Sequence, residues 1–276
     1  MAATADLVLV AGATGGVGQL TVSKLIGKGI KVRVLTRNVE KAQIMFADQV
    51  EIVPGNICDS TTLPAATQNV THIVCCTGTT AFPSARWEFT KIHTDKSWRS
   101  SIEWARLYLN ADYRQARAQN SPDKVDAQGV SNLVAMAPPD LKRFIFVSSC
   151  GILRKEKLPF NLLNAFGVLD AKQKGETAII NSGLPYTIIR PGRLIDGPYT
   201  SYDLNTLWQA KTSGKLGVCI GTGDTLSGQT SRIDLATACV ECISSAETEG
   251  KVFELVNRGP RPAMIDWKML YAQLQD

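Results

Sequence analysis

Histidine is scarce in this sequence, since only His72 and His93 occur among 276 residues. So few imidazoles argue against a histidine-based catalytic triad and against a histidine metal site. The seven cysteines do not show the spacings of a disulfide framework. Cys239 and Cys242 have CxxC spacing, but their helix-like run lacks the second pair or the histidines that zinc would need. We therefore expect no metal site.

Long apolar runs are also absent, because no stretch approaches the ~20 residues that span a bilayer. The first predicted strand begins at about Leu7, which leaves no room for a signal or transit peptide. We expect either that an organellar address was removed ahead of this numbering or that the protein works where it is made. Hydrophobic residues make up 44% and charged residues 20%, as in a globular protein. The length fits one domain, residues 1–276.

A glycine-rich stretch follows directly after the apolar run at 7–10. It contains the candidate cofactor-binding residues Gly12, Thr14, Gly15, Gly16, Val17 and Gly18. A strand, a glycine-rich turn and a helix start, in this order, are typical of pyrophosphate binding in dinucleotide sites. The helix N-terminus would supply N–H groups and a partial positive charge to the phosphates. A glycine-rich turn without a ligand is the alternative interpretation. The G-x-x-G-x-x-G spacing resembles that of the short-chain dehydrogenase/reductase superfamily.

Strand-like and helix-like segments alternate along the chain. We predict strands at 7–11, 31–36, 50–53, 72–76, 143–148 and 186–190, and helices at 16–28, 39–47, 123–137 and 162–182. Short apolar strands separated by helices predict an α/β fold, the doubly wound parallel Rossmann sheet covered on both faces. After Gly192 the pattern is looser, and 193–276 is predicted to form a small C-terminal substrate lobe of the same domain. Its predicted elements are a strand at 218–220, a helix at 233–244 and a strand at 252–256.

The segment 81–121 interrupts this alternation as an insertion. It holds three of the five tryptophans, and residues 86–117 carry seven basic and four acidic residues, a net charge of +3. Trp98, Ile102, Ala105 and Leu109 are spaced to share one helical face. A surface helix that covers a sheet edge is one interpretation, and a docking element or active-site lid is the other. Nucleic-acid binding is not favoured, because acids interrupt the basic residues.

The residues after the second strand predict which nicotinamide cofactor binds. NAD-preferring folds place Asp or Glu there to hold the ribose 2′-hydroxyl, whereas this chain has Thr36, Arg37 and Asn38, with Lys41 one turn on. The Arg37 guanidinium can bind a 2′-phosphate with charge-assisted bonds. Such a bond contributes about 1.5–3 kcal/mol, which predicts a preference for NADPH over NADH of roughly 10–100-fold. A solvated arginine is the alternative.

The motifs together resemble the atypical, NmrA-like short-chain dehydrogenase/reductases. They are the glycine-rich stretch, Val125-Asp126 to Gly129, Val147-Ser148-Ser149, Lys172 with Glu176, Ser182 to Thr187, and Arg190-Pro191-Gly192. Plastid and cyanobacterial members, among them an import-translocon component and photosystem assembly factors, are the most similar, and NADPH-dependent flavin and biliverdin reductases are related. The resemblance implies that Asn56 and Ile57 lie near adenine, that Thr77 and Gly78 pass the cofactor, and that Pro191 lies near nicotinamide.

The superfamily's catalytic set is Ser, Tyr and Lys, with Tyr four residues before Lys. Lys172 matches the lysine, but Val168 stands where the tyrosine is expected. Ser149 matches the catalytic serine and Ser148 a cofactor contact, with the reverse assignment as the alternative. Tyr199 and Tyr202 could replace the missing proton donor or simply line a pocket.

Loss of the tyrosine narrows the chemistry, because reduction of an isolated ketone needs a placed acid. The sequence favours NADPH-dependent reduction of a conjugated small-molecule acceptor, namely a quinone, flavin or tetrapyrrole, with Lys172 and Ser149 as catalytic residues. The alternative is an NADPH-binding scaffold, assembly factor or redox sensor that docks a protein partner through 81–121. A sugar-nucleotide epimerase ranks lower, because it needs the tyrosine. The resemblance implies a cyanobacterial cytoplasm or the chloroplast stroma or thylakoid surface, the last through peripheral membrane association.

Overall fold

The computed structural model describes residues 6–83, 87–90, 98–195 and 215–274, without the side chains of 98–100. Ten strands form one sheet within these ranges. They are β1 (Leu7–Ala11), β2 (Lys31–Thr36), β3 (Glu51–Pro54), β4 (His72–Cys75), β5 (Arg143–Val147), β6 (Tyr186–Pro191), β7 (Arg193–Ile195), β8 (Leu216–Gly221), β9 (Gln229–Ser231) and β10 (Lys251–Pro260).

The sheet has the order β3-β2-β1-β4-β5-β6-β10-β9-β7, and β8 pairs with β10. The seven strands from β3 to β10 in this order are mutually parallel. The chain winds outward in opposite directions from β1 and β4, so their carboxyl ends border the crevice in which such sheets bind ligands. This architecture confirms the predicted doubly wound α/β fold.

Alternate residues of the central strands face two separate cores. Val8 and Val10 of β1 pack on one face, and Leu9 and Ala11 pack on the other, all fully buried. Burial on both faces explains why β1 is apolar throughout rather than alternating in polarity.

Helices cover both faces of the sheet. They are α1 (Gly16–Gly27), α2 (Val39–Phe46), α3 (Pro64–Thr67), α4 (Trp98–Leu109), α5 (Ala111–Arg117), α6 (Val130–Ala135), α7 (Phe160–Leu163), α8 (Val168–Ile180), α9 (Arg232–Glu241) and α10 (Trp267–Ala272). Helices α1 and α9 pack on the face of Val8, whereas α6 and α8 pack on the face of Leu9.

The helix predicted at 123–137 differs from a regular α-helix. Residues Asp123–Gly129 form a π-helix, and only Val130–Ala135 is α-helical. The wider turn carries the backbone of Asp126 against α8, where a Cβ on Gly175 would lie 2.4 Å from the Asp126 carbonyl oxygen. A π-helical segment of this kind frequently occurs at functional sites.

The helix predicted at 162–182 is divided into α7 and α8. Gly167 adopts φ +76°, a left-handed conformation that interrupts a right-handed helix. The side chain of Asn164 caps the start of the next helix, because its Oδ1 accepts hydrogen bonds from the amides of Leu169 (2.9 Å) and Asp170 (3.2 Å). Helix α8 therefore begins at Val168.

The C-terminal segment contributes directly to the sheet. Strand β10 pairs with β6 in parallel and with β8 and β9 antiparallel. The segment predicted as a substrate lobe thus extends the central sheet with β7 to β10 and adds α9 and α10. Its residues 196–214, which include Tyr199 and Tyr202, lie outside the described part of the chain.

The inserted segment contains α4, α5 and an antiparallel bridge between Phe89 and Ala118. The predicted shared face of α4 is turned to solvent, since Ile102 is 45% and Leu109 87% exposed, whereas Leu107 is fully buried. The Trp98 side chain lies outside the described residues. A chain of aromatic contacts fixes α4 to the body through Tyr108, whose ring lies edge-on to Phe166 at a centroid distance of 5.5 Å.

Candidate cofactor site

The glycine-rich turn fits closely against the end of β4. Gly12 has φ +78°, and a Cβ there would lie 2.8 Å from the carbonyl carbon of Cys76 and the amide nitrogen of Thr77. Gly18 is equally constrained, because a Cβ there would lie 2.2 Å from the carbonyl oxygen of Gly12. These two positions exclude side chains because the backbone itself occupies the space.

The start of α1 presents its free amides beside this turn. Gly15 is the N-cap and provides no side-chain hydrogen bond, so the first-turn N–H groups remain available to a ligand. Gly16 lies against Arg232 on α9, a residue that no sequence motif indicated. A Cβ on Gly16 would lie 3.0 Å from Cδ and Nε of Arg232. The Arg232 Nη1 group donates to the Ile195 carbonyl oxygen at 2.6 Å.

A cavity of about 340 Å³ opens beside the turn and α1. Its lining includes eight of the predicted cofactor residues, namely Gly12, Thr14, Gly15, Arg37, Asn56, Ile57, Thr77 and Gly78. Predicted positions Gly16, Val17 and Gly18 lie at the start of α1, and Ser148, Ser149, Lys172 and Pro191 belong to β5, α8 and β6 and their ends. The first set is thus brought together in one cavity, and the second set does not line it.

The loop after β3 forms one wall of the cavity and is held by specific hydrogen bonds. The Asn56 side-chain oxygen accepts from the Cys58 amide at 3.1 Å, and the Asn132 side chain donates to the Ile57 carbonyl at 2.9 Å. The Asn56 amide donates to Thr62 Oγ1 at 2.9 Å. The hydrogen bonds of Asn56 therefore hold the loop in its shape. Asn56 and Ile57 both border the cavity.

Charged side chains gather at the rim near the end of β2. Arg37 Nη1 lies 2.8 Å from Oε1 of Glu88, and both side chains are about half exposed. Lys41 Nζ donates to the Thr14 carbonyl oxygen at 3.2 Å. The inserted segment thus reaches the cavity through Glu88, and Gln119 and Asn120 of the same segment also line it. These three residues lie far from the motifs in sequence, and no sequence signal indicated them.

Lys172 lies buried beneath the wall of the cavity. Its Nζ contacts Asp126 Oδ1 at 2.8 Å and donates to the carbonyl oxygens of Val147 at 2.8 Å and Thr77 at 3.2 Å. A Cβ on Gly78 would lie 3.4 Å from this Nζ, so the ammonium group is directly behind the cavity-lining backbone. These two hydrogen bonds and the ion pair tie α8 to β5, to the end of β4 and to the π-helix.

Asp126 completes this arrangement, although the motif that contains it predicted no role for this side chain. The side chain is fully buried, and its second oxygen, Oδ2, accepts from the amide (3.3 Å) and the hydroxyl (3.2 Å) of Thr79. The carboxylate therefore fixes the segment after β4 as well as the lysine.

The two serines after β5 have different environments. Ser148 is buried and donates to Glu176 Oε1 at 2.5 Å, and Arg190 Nε binds the same oxygen at 2.9 Å. Burial alone would lower the pKa of Arg190, but hydrogen bonding and charge attraction from Glu176 outweigh it and raise the pKa. Ser149 is only half-buried, and its hydroxyl donates to the Cys150 carbonyl oxygen at 3.1 Å. The Pro191 carbonyl oxygen accepts from the Cys150 amide at 2.9 Å.

The position of the superfamily tyrosine is apolar. Val168 is buried in a small cluster with Ile152 and Leu169, so a proton donor is missing from this point of α8. Burial raises the pKa of the Cys75 thiol to about 11 and that of the Cys150 thiol to about 12, so both thiols hold their protons more tightly than an ordinary cysteine does.

Among the described residues, no group of three or more His, Cys, Asp or Glu side chains could hold a metal ion. None of the helices in the described part of the chain has the length and apolar character to cross a membrane.

Comparison with known proteins identifies relatives over most of the chain. Protein TIC 62, chloroplastic, from Pisum sativum is 30% identical over 84% of this chain and 39% of its own length. The chain spans well under half the length of the TIC 62 proteins that it matches. Sanguinarine reductase from Eschscholzia californica is 28% identical over 97% of this chain and 95% of its own length. Photosystem II assembly factor Ycf39 from Trieres chinensis is 23% identical over 90% and 62%, respectively.

Solved structures share the fold. The oxidoreductase ylbE from Lactococcus lactis superposes with a TM-score of 0.65 at 20% identity, over 98% of this chain and 96% of that chain. ChuY, an anaerobilin reductase from Escherichia coli O157:H7, gives 0.64 at 19% identity, over 93% and 100%. A wide-type short-chain dehydrogenase/reductase from Veillonella parvula, in complex with NADP, gives 0.58 at 14% identity, over 95% and 100%.

The family model described as NAD(P)H-binding matches residues 12–246, which begin at the glycine-rich turn and include the cavity. Plastid and cyanobacterial-type relatives accompany this match, as the motifs implied. The chain therefore belongs to the NAD(P)H-binding, Rossmann-fold family of NmrA-like, atypical short-chain dehydrogenase/reductases.

Proposed function

We propose that this protein is an NADPH-dependent reductase of a conjugated small-molecule acceptor. The observation that carries the proposal is the cavity beside the glycine-rich turn, with Arg37 and Lys41 at its rim and an apolar Val168 where the superfamily tyrosine would stand. The names of sanguinarine reductase and anaerobilin reductase, a relative and a structural neighbour, favour a reductase.

The residues of the cavity fit a dinucleotide with a 2′-phosphate. The backbone around Gly12 and Gly15 and the first turn of α1 would hold the pyrophosphate, and the loop of Asn56 would border the adenine. Arg37 would bind the 2′-phosphate, with Lys41 adding a second positive charge. The NADP complex of the Veillonella neighbour shows that this fold can take that cofactor.

Lys172 and Ser149 have separate roles in this proposal. Lys172 holds the ends of β4 and β5 in place from behind the Gly78 wall, and giving up its Thr77 bond would free one N–H for a ribose hydroxyl. The half-buried hydroxyl of Ser149 would orient the acceptor. Bound NADPH would supply a hydride.

The apolar Val168 decides the class of acceptor. With no acid placed at this position of the described chain, hydride transfer to an isolated ketone would leave an unstabilised alkoxide. A quinone, flavin or tetrapyrrole instead delocalises the negative charge, and its proton can come from water. The chain's own contribution is then to bind and align both molecules rather than to deliver a proton.

The test is anaerobic oxidation of NADPH in the presence of each acceptor class: quinones, flavins and biliverdin. The variant Lys172→Met is compared with Lys174→Met, because Lys174 lies on the same helix but is 64% exposed and forms an ion pair with the exposed Asp123 at 2.7 Å. Turnover of an acceptor by the unmodified protein and by Lys174→Met supports the proposal, and its loss in Lys172→Met assigns the lysine a part in the reaction only if that variant is folded and still binds NADPH. Binding of NADPH without turnover on any acceptor overturns it.

The second candidate function is an NADPH-binding scaffold, assembly factor or redox sensor. It is favoured by the exposed face of Ile102 and Leu109 on the inserted segment, and by relatives named TIC 62 and Photosystem II assembly factor. The double variant Ile102→Ser/Leu109→Ser should then lose a co-purifying protein partner and keep its NADPH affinity. Retention of every partner would contradict this function.

Chloroplastic and cyanobacterial relatives favour a cyanobacterial cytoplasm or the chloroplast stroma or thylakoid surface as the location. Peripheral association with a membrane fits this proposal. Fractionation with a salt wash tests it, because a peripheral protein leaves the membrane fraction at high ionic strength.

A further inference from the structure

The carboxylate of Glu88, in the inserted segment, contacts Arg37, which is the residue proposed to bind the 2′-phosphate. Both oxygens of Glu88 contact Arg37 Nη1, Oε1 at 2.8 Å and Oε2 at 2.9 Å. Glu88, Arg37 and Lys41 all line the same cavity. The rim therefore presents two cations and one anion to any ligand that arrives there.

The backbone of Glu88 is fixed by contacts that do not involve its carboxylate. Its amide donates to the Asn120 side-chain oxygen at 2.7 Å, and its carbonyl oxygen accepts from the Gln119 amide at 2.7 Å. The preceding residue, Trp87, is buried, and its indole N–H donates to Thr80. The position of Glu88 on the rim is thus set by the fold of the inserted segment rather than by its attraction to Arg37.

We infer that Glu88 is a specificity-determining residue that lowers the preference of this site for a 2′-phosphate. The inference rests on the proposed function, since it assumes that the adenosine end of the dinucleotide lies at Arg37. A phosphate that binds Arg37 must either displace the Glu88 carboxylate or lie beside a like charge, and both arrangements cost free energy. A ribose 2′-hydroxyl carries no charge and can donate a hydrogen bond to the same carboxylate. Glu88 therefore weakens binding of NADPH and not that of NADH.

Two fragments that lack nicotinamide, 2′,5′-ADP and 5′-AMP, isolate the adenosine end of the site. Their dissociation constants are measured by calorimetry on the full chain, for the wild type and for Glu88→Gln. The control is Glu51→Gln, which removes the same charge from a similarly exposed glutamate whose carboxylate lies 2.7 Å from Arg33, a mostly buried arginine on the neighbouring strand. Arg37→Ala tests the underlying cofactor assignment.

We expect Glu88→Gln to tighten binding of 2′,5′-ADP by about three- to tenfold, because the competing exposed ion pair and the like-charge repulsion are both removed. Binding of 5′-AMP should change by less than about twofold, and Glu51→Gln should affect neither fragment. Glu88→Lys should enlarge the shift for 2′,5′-ADP, which keeps the test valid if the glutamine variant is poorly folded.

Unchanged or weaker binding of 2′,5′-ADP by Glu88→Gln, or equal tightening of both fragments, would overturn the inference. If Arg37→Ala weakens 2′,5′-ADP binding in that case, the cofactor assignment survives and only the role of Glu88 fails. If Arg37→Ala has no effect on either fragment, the proposed NADPH site fails, and the inference fails with it.

Discussion

Replacement of Lys172 should lower the free energy of unfolding, and this loss of stability must be separated from any effect of the replacement on catalysis. In Lys172→Met, the fully buried carboxylate of Asp126 would lose its only ion-pair contact among the described residues. It would keep the two long hydrogen bonds from Thr79, at 3.3 and 3.2 Å. Leaving a buried charge uncompensated costs about 3–5 kcal/mol, a large part of the stability of an ordinary domain.

The double variant Asp126→Asn/Lys172→Met should recover most of this loss. Removing both members of a buried pair is often neutral, and the remaining cost is the lost hydrogen bonds to Val147 and Thr77, about 1 kcal/mol each. These hydrogen bonds are lost in both variants and cancel in the comparison, so we expect the double variant to be about 3–5 kcal/mol more stable than Lys172→Met. Urea unfolding measures this difference as a shift in midpoint at constant slope.

The reasoning fails if the single and double variants unfold at the same urea concentration. Equal stability would mean that the ion pair does not carry the energy assigned to it. The double variant also gives the fair test of catalysis. If it is folded and binds NADPH but does not turn over an acceptor, the lysine contributes to the reaction beyond its structural contacts.

Three further results are expected. Arg37→Ala should weaken NADPH binding by roughly 10–100-fold and leave NADH binding almost unchanged, and equal losses for both cofactors, measured by calorimetry, would refute the role of Arg37. Gly18→Ala should destabilise the protein by about 3 kcal/mol, because the new Cβ would lie 2.2 Å from the Gly12 carbonyl oxygen. In Gly15→Ala the new Cβ would lie 3.2 Å from the same oxygen, so this variant should stay folded and weaken NADPH binding. Similar unfolding midpoints for the two variants would contradict this. Burial lowers the pKa of His72 below its usual 6.5, so the unfolded chain binds this proton more readily, and stability should be complete above about pH 7 and fall as the pH drops below 6.5. His72→Gln should remove that part of the pH dependence of Tm, and an unchanged profile would exclude His72 as its source.

The sequence predicted the parts of the site that local structure determines. Gly12, Gly15 and Gly18 follow a strand and begin a helix, so their roles depend on neighbours within a few residues. The position of Arg37 could be predicted in the same way, because the end of the second strand always borders the dinucleotide crevice in this topology. The NAD(P)H-binding family match confirms the family that these local patterns indicated, and the roles of the individual residues stay predictions.

Contacts over long sequence separations could not be predicted in the same way. Glu88 reaches Arg37 only because the inserted segment folds back and its backbone pairs near Asn120. Arg232 contacts the glycine-rich turn because α9 packs on α1. Neither Glu88 nor Arg232 belongs to a motif, and the positions of both depend on how whole helices and segments pack together. The break at Gly167 did have a local signal, since an isolated glycine in a helical pattern can mark a boundary.

The surroundings of Lys172 also change how its presence should be interpreted. A lysine that survives without its tyrosine suggests at first that cofactor chemistry has kept it. In this structure, however, its ammonium group forms an ion pair with Asp126 and hydrogen bonds to the carbonyl oxygens of Val147 and Thr77, and thereby holds together the strand ends that shape the cavity. A scaffold that binds NADPH without turnover would need the same contacts as a reductase. The lysine therefore favours an intact cofactor site under either function. Turnover of an acceptor by the unmodified protein separates the two functions, and the Asp126→Asn/Lys172→Met variant then tests whether the lysine contributes to that turnover.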